Sequence, residues 1–196
     1  MAALLTLSAI RAKRPCESGW RKLLAHLGKT VADDRPLSML TVLESTGLDE
    51  TLWCLRCVKG RDGAIRMLAC DFAQEVAHFN ADPRVQAAID TARRYASGDA
   101  TSAEMASARK AAWAASAMAA DFDASEAAAW AAAETAAYAA AADAAANDAA
   151  HAAARAAMRA ARRAATLDAA WSAAIKAAYG AQTAILRRWI IQQEAA

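Results

Sequence analysis

Glycine and proline are absent from residues 99–179, and the 196-residue chain has only seven glycines and three prolines in all. Without either breaker, nothing local stops a helix across that stretch. Aromatic residues make up only 6% of the chain, so a core has few large side chains to draw on. β-Branched residues are sparse and never alternate over a useful length, which excludes a sheet. No run approaches 18 uncharged apolar residues, because Glu126, Glu134, Asp143 and Asp148 interrupt every candidate span. No membrane association is expected. The apolar opening, residues 1–10, precedes its charges Arg11, Lys13 and Arg14, the reverse of a secretory signal. Four cysteines without such a signal read as reduced thiols. Together these absences predict a soluble, cytoplasmic protein. The balance of 23 basic and 21 acidic side chains leaves +2, too small an excess to call for direct nucleic-acid binding.

What fills the breaker-free stretch is alanine, 27 of the 42 residues from 124 to 165. Alanine loses no side-chain entropy on becoming helical, so the whole stretch is expected to be helical. As one rod, residues 99–179 would run about 120 Å, so they should fold back. The most plausible breaks fall at residues 121–125, 147–148 and 166–168, where short polar side chains can cap a new helix. Gly180 would mark a last kink. The segments 128–138 and 169–179 echo each other, AAWAAAETAAY against AAWSAAIKAAY, a weak sign of duplication in such biased sequence. Trp113, Trp130 and Trp171 would act as spaced wedges.

Earlier in the chain the pattern changes to short helices. The spacing predicts helices over residues 5–13, 18–27, 36–45, 50–58, 64–79 and 83–97. Pro15 stops the first of these, and Gly28, Gly47 and Gly98 close others. Pro36 suits a first turn, Asp49 an N-cap, and Asp82-Pro83 a strong start. Thr101 and Glu104 have the spacing of a capping box. The fold class is all-α: a multi-helix bundle of antiparallel helices with long alanine-rich C-terminal helices. A short-helix N-terminal subdomain (1–98) and an alanine-rich long-helix subdomain (99–196) would share one continuous core.

Catalytic and cofactor signatures are thin. Cys54 and Cys57 form a C-x-x-C, with Cys70 and His78 downstream. That spacing fits no usual zinc pattern, and the cysteines sit in helical apolar sequence, where free cysteine behaves as a small hydrophobe. A thioredoxin-like role lacks its βαβ context. Asp71 interrupts an apolar run. It could be a general base, but a structural ion pair with Arg56, Arg66, Arg93 or Arg94 is favoured, since no nucleophile clusters nearby. His26, His78 and His151 are isolated, and residues 60–63 make a turn rather than a phosphate loop. No catalytic residue, metal or cofactor is assigned.

Charge is laid out more informatively. Residues 121–148 hold six acids (Asp121, Asp123, Glu126, Glu134, Asp143 and Asp148) and no Lys or Arg. His151, Arg155, Arg159 and Arg163 then follow at i, i+4 steps with Arg162 beside them, a basic stripe on one helix face. Asp121, Asp123, Glu126, Glu134, Arg155, Arg159, Arg162 and Arg163 are therefore the candidate partner-binding residues. The competing reading is that the two segments pair across a hairpin, or suit the helix dipole.

The succession LESTGLDETLWCLRCV (43–58), RMLACDFAQEVAHF (66–79), DPRVQAAIDTARRYASGDAT (82–101) and ARKAAWAA (108–115) resembles a family of all-helical immunity proteins of bacterial polymorphic toxin systems. Its most specific pieces are GLD-x-x-LWCLR, LACD, and DPR followed by ARR-x-x-x-G. The resemblance implies a small non-enzymatic inhibitor that binds and neutralises a toxin domain, with Asp71 a fold-defining residue. Residues 16–24, CESGWRKLL, are similar to a stretch in small phage-encoded proteins. They imply an alternative, an anti-defence protein that blocks a host immune complex such as a CRISPR effector. A third reading is a helical scaffold that forms a homodimer through alanine faces, which allow close helix approach.

Overall fold

The computed structural model describes residues 5–118, 136, 139, 145–164 and 168–196. The chain is all-α. Among the described residues there are nine α-helices and no strand. Two compact units divide the chain, one of Met1–Arg61 with Leu186–Ala196, the other of Asp62–Ile185.

The first unit is built from short helices that depend on their caps: α1 (Leu7–Ala12), α2 (Glu17–His26), α3 (Met39–Thr46) and α4 (Leu48–Cys54). A helix this short makes few internal hydrogen bonds, so its exposed end amides need outside acceptors. Thr6 Oγ1 accepts from the Ala9 amide at 3.0 Å, and Cys16 Sγ from the Gly19 amide at 3.3 Å. The first helix starts two residues later than its sequence predicts. Leu5 is instead paired antiparallel with Leu37 through backbone bonds of 3.2 and 2.7 Å, and both side chains are buried.

That pairing also corrects the expected start of α3. Pro36 lies outside the helix and Leu37 is held by Leu5, so Ser38 becomes the N-cap, accepting from the Leu40 amide at 3.0 Å. A second cap arrives from the far end of the chain. The Glu194 carboxylate accepts from the Ser38 hydroxyl and from the Met39 amide, each at 2.8 Å. Gly47, at φ 92°, ends α3 and opens α4, a backbone conformation that favours glycine. Asp49, expected as the cap, lies within the first turn, where its charge still suits the positive helix end. A 3-10 turn, Leu55–Cys57, finishes the segment.

The second unit is organised on α5 (Asp62–Val76), which packs against both α6 (Pro83–Ser97) and α8 (Ala146–Ala164); α6 in turn packs against α7 (Ser102–Met118). Its buried side chains Ile65, Leu68, Ala69, Phe72, Ala73 and Val76 recur at helical spacing on one face. Opposite them α8 offers alanine: Val76 packs with Ala157 and Ala160, and Phe79 lies against the cluster. Large side chains on one helix fill the space that small ones leave on the other. Close approach recurs between α5 and α6, where a Cβ added to Gly63 would lie 2.8 Å from the Ala96 carbonyl oxygen.

Sequence punctuation holds well here. Asp82 accepts from the Arg84 amide at 2.9 Å with Pro83 in the first turn, and Gly98, at φ 87°, ends α6. Thr101 and Glu104 form the expected capping box, with bonds of 2.7 and 3.2 Å. α8 begins at Ala146 with Ala145 outside it, so a helix does start at the expected place, one or two residues early, and Asn147 and Asp148 fall in its first turn rather than capping it. α9 (Asp168–Ala195) runs through Gly180 without interruption, so that glycine does not separate two helices. The breaks expected at 121–125 and 166–167 lie outside the described residues, as do the side chains of Trp130 and Trp171. Trp113 is half-buried on α7.

Candidate functional site

Burial settles the chemistry of two cysteines. Cys54 is 4% exposed and Cys70 fully buried, and burial pushes each thiol up to about 12. Both are therefore protonated at neutral pH, and the thiolate is the reactive form. They serve as the small hydrophobes their sequence context predicts. Cys57 is half-buried, raised by the same desolvation, and directs its Sγ–H toward the Ala9 carbonyl at 3.7 Å. Cys16 is exposed and occupied as the α2 cap. Among the described residues no group of three or more His, Cys, Asp or Glu is arranged to hold a metal ion.

Asp71, on α5, meets Arg93 on α6 at 3.4 Å, and Arg93 also donates to Gln74 Oε1 at 3.0 Å. The Asp71 side chain is 46% exposed, so the contact is a partly solvated bridge between helices and adds little stability. Arg56 places its guanidinium 4.6 Å over the Trp53 ring and donates Nε–H to the Trp53 carbonyl at 3.0 Å. Such stacking of a cation on an indole face is itself favourable. His26 is exposed in the last turn of α2, and the exposed His78 ring lies 4.0 Å from that of Phe79.

The charged face of α8 is where side chains converge. Asp148, His151, Ala152, Arg155 and Arg159 line an open cleft of about 340 Å³. Their spacing, stepping three or four residues at a time, puts them on one side of the helix. Ala146, Ala149, Ala150, Ala153, Ala154, Ala156, Ala157 and Ala160 are all buried. The helix is thus divided into an alanine face for packing and a charged face for the cleft. On the buried side, the Gln182 side chain from α9 donates to the Ala154 carbonyl at 3.0 Å and is 2% exposed. Its Oε1 has no hydrogen-bond partner.

Of the candidate partner-binding residues, the structure brings Arg155 and Arg159 into the cleft. Arg162 and Arg163 belong to the last turn of α8, beyond its described side chains. Asp121, Asp123, Glu126 and Glu134 lie outside the described residues. The i, i+4 arginine spacing marks the stripe in the sequence. The concavity beside it has no sequence signal, since Ala152 looks like any other alanine of the region. No helix among the described residues is long and apolar enough to cross a membrane. No protein-family model matches the chain, and neither the curated proteins nor the solved structures give a match.

Proposed function

We propose that this chain is a non-enzymatic inhibitor that binds and neutralises a protein target, and that the target is a bacterial toxin domain. The observation that carries the reading is the make-up of the α8 cleft. It gathers two guanidiniums, an imidazole and a carboxylate along one partly exposed helix face, charged groups of the kind that protein interfaces use for charge complementarity. Cys54 and Cys70 are themselves buried and held protonated, so neither is a ready nucleophile. The toxin form of the reading comes from the resemblance of residues 43–58, 66–79 and 82–101, which here supply parts of α3 to α6.

The test is co-expression with a toxin domain encoded by a neighbouring gene, where gene order supplies one. Growth protection and a stoichiometric complex on size exclusion are the expected results. A chain that neither protects nor forms a complex at low salt is not an immunity protein. Retention of a host defence complex instead would move the function to the anti-defence form that residues 16–24 resemble.

A further inference from the structure

We infer that the basic corner of the first unit, where the end of α1 meets the turn after α4, binds the phosphate backbone of a nucleic acid. The inference goes beyond the inhibitor reading and does not depend on it. Two segments far apart in sequence build the corner. Residues 5–16 carry Arg11, Lys13 and Arg14 and no acid, and residues 51–61 carry Arg56, Lys59 and Arg61 and no acid. The segments touch, since the Cys57 Sγ–H points to the Ala9 carbonyl at 3.7 Å. Lys13 and Arg56 flank that thiol from the two sides: burial raises it, and the two cations pull it back. The rest of the chain holds 17 basic and 21 acidic side chains. A chain of net +2 is therefore polarised, +6 in these two segments and −4 elsewhere, and such a field draws a polyanion to this corner.

Helix ends account for only part of this charge. Arg11 lies in the last turn of α1 and Arg56 in the 3-10 turn, where cations suit the negative helix end. Their guanidiniums lie 5.5 Å over Trp20 and 4.6 Å over Trp53. Arg14 and Lys59 are different. Each follows the residue that ends its helix, Lys13 and Val58. Both are exposed, and neither side chain has an ion pair or hydrogen bond among the described residues. Arg14 also stands at φ 56°, in the left-handed region where glycine or asparagine costs less. Backbone conformation does not explain an arginine there, whereas a charged contact does. The flanking acids are engaged on α2, Glu17 with Arg21 at 3.7 Å and Glu50 beside Gly19. A protein surface interleaves both signs of charge, but a phosphate backbone repeats one sign at every step. The second is the closer match to six cations without an acid.

The experiment uses the full chain and a fluorescein-labelled DNA duplex of about 20 base pairs, followed by anisotropy in salt from about 50 to 200 mM. Wild type should bind, with log K falling steeply against log salt. Arg14→Gln together with Lys59→Gln should weaken binding roughly tenfold and make the salt slope shallower by about 2, near one per lost phosphate contact. Lys110→Gln with Lys176→Gln removes the same charge from exposed positions on α7 and α9, and affinity should stay within about twofold. Arg14→Gly separates contact from fold. It relieves the left-handed conformation, so it should melt no lower than wild type while weakening binding roughly threefold. Circular dichroism checks that every variant keeps its helix content. No binding at about 50 mM salt overturns the inference. Equal losses in the two double variants overturn it as well, because net charge alone would then explain the binding. Displacement of the duplex by polyglutamate or by phosphatidylserine vesicles at lower total charge also overturns it, in favour of an acidic protein or a membrane surface.

Discussion

In the first unit Met39, Val42 and Leu52 are buried on helices of eight and seven residues, and α1, α2 and α3 are each capped by a side chain. In the second unit α8 is 19 residues long and its described buried side chains are all alanine. The short helices have little propensity to draw on, so large hydrophobes and end caps hold them in place. The alanine helix begins with the highest propensity available, and its small side chains allow α5 to come close. The first arrangement is vulnerable to losing volume and the second to gaining it.

Removing volume from the first unit should give the largest effect. Leu52 is 1% exposed, and truncation to alanine leaves a cavity that a short helix cannot close; Leu52→Ala is expected to cost about 2–5 kcal/mol. Urea unfolding checks it, and a loss below about 1 kcal/mol would mean that α4 collapses onto the space.

Adding volume to the second unit ranks next. Ala157 is fully buried against Val76 and Ala160, so Ala157→Leu should cost about 1–3 kcal/mol by forcing α5 and α8 apart. The same enlargement at half-buried Ala152 should cost little, because it faces the cleft. Equal losses at the two positions would erase the distinction between the faces of α8.

Caps sharpen the comparison at smaller magnitude. Glu194→Ala removes the acceptor from the Ser38 hydroxyl and the Met39 amide, an expected loss of about 1 kcal/mol within the usual range for a cap. Gly180→Ala should do the opposite. A Cβ there meets nothing within 4 Å, so the variant should stabilise α9 by roughly 0.5–1 kcal/mol. Thermal melts of the two variants should move in opposite directions.

Local interactions are the part of this fold that is legible in sequence. Asp82-Pro83, Gly98 and the Thr101–Glu104 box each act within a few residues, so the pattern that names them also builds them. Pro36 misleads because its neighbour Leu37 is held by Leu5, 32 residues before it. The Glu194 cap is invisible for the same reason, since it reaches a backbone amide 155 positions earlier. At the candidate site the arginine spacing is legible and the cleft is not. Helical periodicity fixes which side chains share a face, whereas a concavity depends on what that face is set against.

The smallest effect concerns pH, and it falls on the junction between α6 and α7. The Thr101 amide and hydroxyl and the Arg94 guanidinium hold the Glu104 carboxyl below its ordinary range. Arg84 does the same for Asp82 at the start of α6. Both groups are depressed in the folded state, so the unfolded chain binds more protons over the window between the two pKa values. Their stabilisation is complete above the unfolded values, about 4 for a carboxyl, and fades as pH falls through the lower folded values. Acid titration followed by amide exchange at residues 98–105 should therefore show this junction opening below about pH 4, and Glu104→Gln should flatten that response. A junction equally protected at pH 3 and pH 6 would show that Gly98 and the helix termini hold it without the carboxylate. In that case the alanine-rich region would need its caps even less than its propensity implies.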